Sequence, residues 1–181
     1  MFTNNYIALK NARFYGNVNQ NFVLANNTTK SLNVTAVHYG DLGFKLYNAR
    51  YVEYDSAASG AGMTAGVAFG TGTTPPTRAD YKLENQVPSG SLSFTNNSES
   101  VAAEDGGQWS AIASYIVKNT TDSDISISEI GYFGEVNTGS STSGKFYSCL
   151  MERTVLAEPI TIPAGQAKVI TYKVSGVLSL S

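Results

Sequence analysis

The chain has 181 residues, of which 42% are hydrophobic and 14% charged, and its formal net charge is −2. That length suits one domain with a sizeable core, and the weak charge argues against a basic nucleic-acid binder, an acidic tail, a coiled coil or a long-helix bundle. Because Ser, Thr, Asn and Gly supply 69 residues, the composition indicates a neutral, turn-rich β protein.

The first 30 residues are rich in Asn and only weakly periodic. We expect residues 1–30 to form an N-terminal arm or irregular first strands, and residues 31–181 to form a single β-sandwich domain. An arm of this kind would become ordered only on binding a neighbouring subunit. The opening residues have neither a basic region nor a long apolar stretch, so no signal peptide is expected. No apolar stretch is long enough to predict a transmembrane helix.

Short apolar stretches separated by turn residues predict the next part of the fold. Strands are expected at 31–37, 43–47, 50–54, 66–69 and 91–95.

One short helix is predicted near 77–83. Thr77 and Asp80 have the spacing of an N-terminal cap, and two prolines precede them. Three polar, Gly-containing stretches predict exposed loops at 56–64, 96–107 and 137–144.

The clearest strand lies at 109–118, where apolar residues alternate with Ser and Lys. The polar run 119–124 predicts a turn, and a second strand follows at 125–133. Its apolar register slips by one residue around Glu129, which predicts a bulge or a change of facing. We expect these two strands to form an antiparallel hairpin.

The C-terminal third shows the same pattern of short apolar stretches separated by turn residues. Strands are predicted at 145–151, 154–156, 159–162 and 167–174, with a turn at 163–166. With eight to ten short strands, the expected fold is all-β, a β-sandwich of jelly-roll type.

Sites for small ligands find little support in the sequence. The glycines at 60–62 and 70–72 lack the Gly-Lys-Ser/Thr ending of a phosphate loop, so tight turns explain them better. An EF-hand starting at Asp122 would need Gly at position 127 and Glu at position 133, where Ile and Phe stand. An irregular calcium site built from Asp105, Asp122 and Asp124 stays open.

Residues for catalysis are also few. His38 and Cys149 are the single histidine and cysteine, and neither has the flanking motif of a nucleophilic enzyme. His38 with Asp41 is therefore interpreted as a strand end, and Cys149 as a core residue. The carboxylates Glu99, Glu104 and Asp105 could in principle act on glycosides, but a solvated loop is the simpler interpretation. We therefore predict no enzyme, no catalytic residue, no metal and no cofactor.

The best candidate surface is a local group of tyrosines, Tyr47, Tyr51 and Tyr54, around Arg50. Aromatic side chains stack on sugars or bases and are favoured in interfaces. Packing into a sheet from alternate strand positions is the competing explanation. The net charge makes nucleic-acid stacking the weakest alternative.

Three segments together resemble a poorly characterised group of tailed-bacteriophage virion proteins. They are FGTGTTPPTRADYKL at 69–83, NTTDSDISISEIGYF at 119–133, and LMERTVLAEPITIPAG at 150–165 running on to VITY at 169–172. The resemblance covers about residues 66–175, and the opening MFTNNYIAL is in keeping with it. These motifs describe turns and strands and mark no functional residues.

The resemblance implies a structural role in a virion, assembled in the host bacterial cytoplasm. The first expectation is a capsid decoration, cement or head-fibre protein that contacts the major capsid protein or other virion proteins. The alternatives are a tail, neck or baseplate component and a carbohydrate-binding adhesin module. A homo-oligomer, dimer or trimer, is expected, with neither nucleic acid nor membrane as a partner.

Overall fold

A computed structural model describes residues 1–15, 19–33, 49–54, 65–103, 108–137 and 146–177. These residues form one helix, α1 (Asn4–Tyr15), and eight strands. The strands are β1 (Asn19–Val23), β2 (Thr29–Asn33), β3 (Gly66–Gly70), β4 (Leu92–Ala103), β5 (Gln108–Asn119), β6 (Ile125–Asn137), β7 (Phe146–Ile162) and β8 (Ala167–Val177). The all-β class is confirmed, whereas a jelly-roll connectivity stays a prediction.

The long strands form two three-stranded antiparallel sheets, with the orders β3-β6-β7 and β4-β5-β8, while β1 and β2 form a separate hairpin. The predicted hairpin between the strands at 109–118 and 125–133 is wrong, because β5 and β6 belong to different sheets. Both edges of β5 are occupied, by β4 and β8. The chain after β5 therefore leaves that sheet and continues in the other one.

The main core lies between the two sheets, as the alternation in β5 predicts. Tyr115 and Val117 are fully buried from β5, while Phe69 of β3 lies edge-on to Tyr115 with ring centroids 6.3 Å apart. From β8, the core receives Ile170, Tyr172 and Val174. Burial of these apolar side chains is the main driving force for the association of the sheets.

The two sheets differ in what covers their outer faces. A second cluster, which includes Leu83, Phe133, Leu150 and Tyr54, covers the side of the β3-β6-β7 sheet away from the main core. On the β4-β5-β8 sheet, Ile116 is 37% exposed and Val169 is 61% exposed. One sheet therefore has apolar contacts on both faces, while the other presents apolar side chains to solvent.

The N-terminal residues pack on the chain itself. Thr3 is buried, and its hydroxyl donates to the carbonyl of Leu150 at 2.6 Å. The side chain of Asn5 donates to the carbonyl of Val23 at 2.7 Å and accepts from the Val23 N–H at 2.8 Å. These contacts join the start of α1 to β1 and β7. An arm spanning residues 1–30 that orders on binding a neighbour stays a prediction, but its first residues already have partners within the chain.

The helix predicted near 77–83 is wrong, since this segment contains only a turn at 78–79. The capping contacts do form: the Thr77 N–H and hydroxyl donate to the Asp80 carboxylate at 3.0 and 2.7 Å. No helix follows this cap, and just beyond the segment the N–H groups of Glu84 and Asn85 donate to the side chain of Glu129.

Two further expectations are corrected. The predicted loop at 96–107 is strand as far as Ala103, because β4 pairs with β5 up to that residue with one register shift between Asn96 and Ser98; residues 104–107 lie outside the described residues. Residues 50–54 are not a strand, although the preceding Ala49 forms a parallel bridge with Val67. The expectations for 34–37, 43–47, 56–64 and 138–144 lie outside the described residues.

Candidate functional site

Three carboxylates meet one guanidinium on the covered side of the β3-β6-β7 sheet. In Arg153, Nε donates to Glu129 at 2.8 Å and one terminal nitrogen donates to Asp80 at 2.9 Å. The other terminal nitrogen lies 3.4 Å from Glu84. We call these four residues the Arg153 cluster. Arg153 and Glu129 are almost fully buried, so this arrangement compensates charge inside the protein.

Glu129 holds the loop that follows β3. Its Oε1 accepts from the N–H groups of Gly72 at 3.1 Å and Asn85 at 2.7 Å, and its Oε2 accepts from the N–H of Glu84 at 3.1 Å. A Cβ on Gly72 would lie 2.6 Å from Oε1. The glycines at 70–72 therefore admit a buried carboxylate, which agrees with the interpretation that they do not form a phosphate loop.

The register slip predicted around Glu129 is confirmed. The pairing of β6 with β7 shifts between Ile127 and Glu129. Beyond the slip, Ile130 and Tyr132 belong to the main core, and Phe133 belongs to the second cluster. The sequence signal for the Arg153 cluster is thus a charged residue, Glu129, at the point where the apolar alternation of the strand shifts by one residue. This signal does not show which residues pair with Glu129.

The Arg153 cluster has the chemistry of a structural clamp. Burial alone would raise the pKa of Asp80, but hydrogen bonds from Thr77 and Arg153 outweigh it and lower that pKa. Hydrogen bonds from Thr74, together with the charge of Arg153, lower the pKa of Glu84. Both carboxyls are ionised at neutral pH and already hold donors. Neither is suited to general acid catalysis, which needs a pKa near the working pH.

A second buried carboxylate, Glu152, lies next to Arg153 in sequence. It accepts hydrogen bonds from the Met1 ammonium at 2.6 Å, from the Thr154 hydroxyl at 2.7 Å and from the hydroxyl of Tyr172. Burial is the largest influence and raises the pKa of Glu152, while the hydrogen bond from the ammonium opposes it. Because Tyr172 belongs to β8, this group links the two sheets.

The loop held by Glu129 brings aromatic and basic side chains together. Nζ of Lys82 lies 5.9 Å from the ring centroids of both Tyr54 and Tyr81. The ring of Tyr54 packs 5.8 Å from that of Phe133, and burial raises the pKa of its hydroxyl. Tyr51 is 43% exposed. We call Tyr51, Tyr54, Tyr81 and Lys82 the aromatic face.

The aromatic face differs from the tyrosine group expected from sequence. Tyr51 and Tyr54 belong to it, whereas Tyr47 lies outside the described residues. Arg50 contributes its backbone N–H, which donates to the carbonyl of Val67 at 2.9 Å. Tyr81 and Lys82 were not expected, because they lie far from Tyr54 in sequence and reach it only through the anchored loop.

Among the described residues, the other candidates do not combine into a reactive site. Cys149 is fully buried and burial raises the pKa of its thiol, which suits the predicted core role. Asp124 accepts a hydrogen bond from the N–H of Ala164 at 3.1 Å. Within the described ranges, no three His, Cys, Asp or Glu residues are grouped to hold a metal ion. His38, Asp41, Glu104 and Asp105 lie outside those ranges, and Glu99 is placed in β4 opposite Ala113.

Comparisons with known proteins add no assignment to this geometry. No helix in the described part of the chain is long and apolar enough to cross a membrane. No protein-family model, curated protein or solved structure matches the chain.

Proposed function

We propose that the chain is a non-enzymatic structural protein of a bacteriophage virion. The role that fits best is a capsid decoration, cement or head-fibre component. Such a component binds the shell through subunit contacts with the major capsid protein or with other virion proteins. The resemblance of residues 66–175 supports the virion setting. The exposed surface and the distribution of charge support the contact role.

The observation that carries the contact role is the solvent-facing side of the β4-β5-β8 sheet. Ile116 of β5 and Val169 of β8 are register partners, and both are exposed. Hydroxyl side chains extend this surface, with Ser114 and Thr171 hydrogen-bonded to each other at 3.0 Å. The apolar and hydroxyl groups of this face can pack against another subunit. The exposed Lys118 and Lys173 lie on the same face, so the partner must leave them hydrated at the rim or meet them with carboxylates.

The distribution of charge supports the same role. The buried carboxylates Glu129 and Glu152 are engaged by donors within the chain, so they stabilise the fold and are not available to a substrate. Such a chain can form a homo-oligomer, dimer or trimer, through its exposed sheet.

The experiment is localisation of the chain on purified virions of the phage that encodes it. We expect mass spectrometry to find it in the particles and cryo-electron microscopy to place it on the capsid surface. Density on the tail, neck or baseplate would replace decoration with the alternative virion role. Absence from purified particles would refute the proposal.

The aromatic face supports a second candidate, a carbohydrate-binding module. The exposed Tyr51 can stack on a sugar ring, and Lys82, which lies by Tyr54 and Tyr81, can donate to its oxygens. Specific binding on a glycan array that is lost in Tyr51→Ala would favour this function. Tyr147→Ala is the control, because Tyr147 has a lysine near its ring, with Nζ of Lys30 at 5.7 Å, and is not part of the aromatic face.

A further inference from the structure

The β3-β6-β7 sheet has an open edge where β3 ends. β3 pairs with β6 only over Gly66–Gly70, opposite residues 129–133. Residues 125–127 of β6 pair with β7 on one side, but no strand among the described residues lies on their other side. A strand edge of this kind presents unpaired N–H and C=O groups, which can accept another strand.

A groove of about 400 Å³ lies along this open edge. It is lined from β6 by Ile125, Ser126 and Ser128, and from the loop before β4 by Val87, Pro88 and Ser91. We call it the β6 groove. Its lining combines apolar side chains with hydroxyls and contains no aromatic ring, which makes it unlike a sugar-stacking platform.

Ser128 adds a hydroxyl group to the lining of the β6 groove. It lies at the register slip and has no paired residue on β3 or β7. The residue is 5% exposed, so only a small part of it is accessible from the groove. A serine hydroxyl can both donate to and accept from a polar ligand.

Asp124 is the one charged residue among those that line the β6 groove. Its Oδ1 accepts from the N–H of Ala164 at 3.1 Å, and the residue is exposed. The exposed carboxylate therefore favours a cation at one point of an otherwise neutral groove.

We propose that the β6 groove binds an extended peptide segment of a partner protein, which adds as a strand beside residues 125–128 and places a basic side chain near Asp124. Strand addition uses main-chain hydrogen bonds for affinity and alternate side chains for specificity. Four residues of such a strand span about 13 Å. The inference rests on the proposed function, which supplies the partner subunits, and it specifies the chemistry of one contact with such a partner.

The test is a titration of the full chain with fluorescein-labelled peptides, followed by fluorescence anisotropy. The parent probe alternates Thr and Val and carries one central Lys; a second probe has Glu in its place. A third probe keeps the parent side chains but is N-methylated at alternate amides, so that it cannot complete a ladder. We expect the parent probe to bind about fivefold more tightly than the Glu probe, and the N-methylated probe not to bind.

Asp124→Asn should abolish the preference for Lys over Glu while retaining binding, because Asn keeps the acceptor for Ala164. Asp122→Asn is the matched control: Asp122 is exposed and does not line the groove, and the same charge is removed two residues away. This control should keep the preference.

Three results would overturn the inference: no saturable binding of the parent probe, equal binding of the N-methylated probe, or an unchanged preference in Asp124→Asn. Amide exchange at 125–128 that slows with protein concentration alone would also overturn it, because a second copy would then occupy the edge. The titration uses no virions, so its failure and a failure of the proposed function are separate results.

Discussion

Glu129 and Arg153 join neighbouring strands through a buried ion pair, with Nε of Arg153 2.8 Å from Oε2 of Glu129. The same two side chains reach the loop between β3 and β4, since Glu129 accepts three of its N–H groups and Arg153 contacts Asp80 and Glu84. This pair therefore determines where the loop lies, and with it the positions of Tyr81 and Lys82.

The first prediction concerns removal of the cation. Arg153→Ala should lower the free energy of unfolding by about 3–5 kcal/mol, because it removes the guanidinium that pairs with the buried side chain of Glu129. Urea denaturation followed by circular dichroism measures the change. Arg78→Ala is the control, since Arg78 is an exposed arginine of the same loop, and it should change the free energy by less than about 0.5 kcal/mol. Equal effects of the two variants would contradict the clamp role.

The second prediction concerns space beside Glu129. Gly72→Ala would place a Cβ 2.6 Å from Oε1 of Glu129 and 2.6 Å from Cβ of Glu84. The carboxylate is held by hydrogen bonds and cannot yield freely, so we expect a loss of about 1–3 kcal/mol in unfolding free energy. Thr73→Ala, an exposed neighbour in the same loop, should have little effect in the same denaturation assay. A Gly72→Ala protein as stable as wild type would show that the loop can move away.

The third prediction concerns acid. The folded-state pKa of Asp80 is lowered from its ordinary 3.8, so its stabilising contribution is present above that value and is lost as the pH falls through it towards the folded pKa. Glu152 has a raised pKa and acts in the opposite direction: its contribution is greatest below its ordinary pKa and declines as the pH rises.

Asp80→Asn isolates the contribution of Asp80 from that of Glu152. The urea midpoint of Asp80→Asn should lie below that of wild type at neutral pH, and the difference should shrink as the pH is lowered below 3.8. Asp122→Asn serves as the control and should show no such convergence. A constant difference between wild type and Asp80→Asn at all pH values would contradict the assignment.

The sequence pattern predicts side-chain facing well because facing depends only on local alternation. In β5, the alternation of apolar residues predicts a buried face, and the residues on that face are buried in the structure: Ala111, Ala113, Tyr115 and Val117. In β6, the slip from Ile127 to Ile130 identifies the bulge at Glu129. Each of these inferences needs only residues within one strand.

Strand partnership and the candidate sites need contacts that local alternation cannot encode. Nothing in the strands at 109–118 and 125–133 shows that β4 and β8 already fill both edges of β5. The aromatic face likewise depends on Tyr54 and Lys82, which the fold joins through the distant Glu129. The helix α1 was missed because its sequence lacks strong periodicity, while Asn5 secures it by hydrogen bonds to β1.

The fourth prediction concerns the corner where β5 ends. The Asn119 amide is buried, and it donates to the carbonyls of Ser123 at 2.7 Å and Ile162 at 3.0 Å. Asn119→Ala should cost about 1–3 kcal/mol, because the carbonyl of Ile162 loses its donor. Gln166→Ala, an exposed amide at the same corner, should be nearly neutral in thermal and urea unfolding. A neutral Asn119→Ala would show that water replaces the lost donor.

The fifth prediction concerns self-association through the β4-β5-β8 sheet. Val169 is exposed and lies opposite Ile116, so Val169→Lys should change the free energy of unfolding by less than about 0.5 kcal/mol. If this face forms the proposed oligomer, the added charge must be desolvated in the interface, and sedimentation equilibrium should show a shift towards the monomer. Ser123→Lys adds the same charge on the exposed β5–β6 turn and should leave the distribution of masses unchanged. A wild-type protein that stays monomeric at every concentration, or a Val169→Lys protein that associates as wild type does, would exclude this face as the contact between copies.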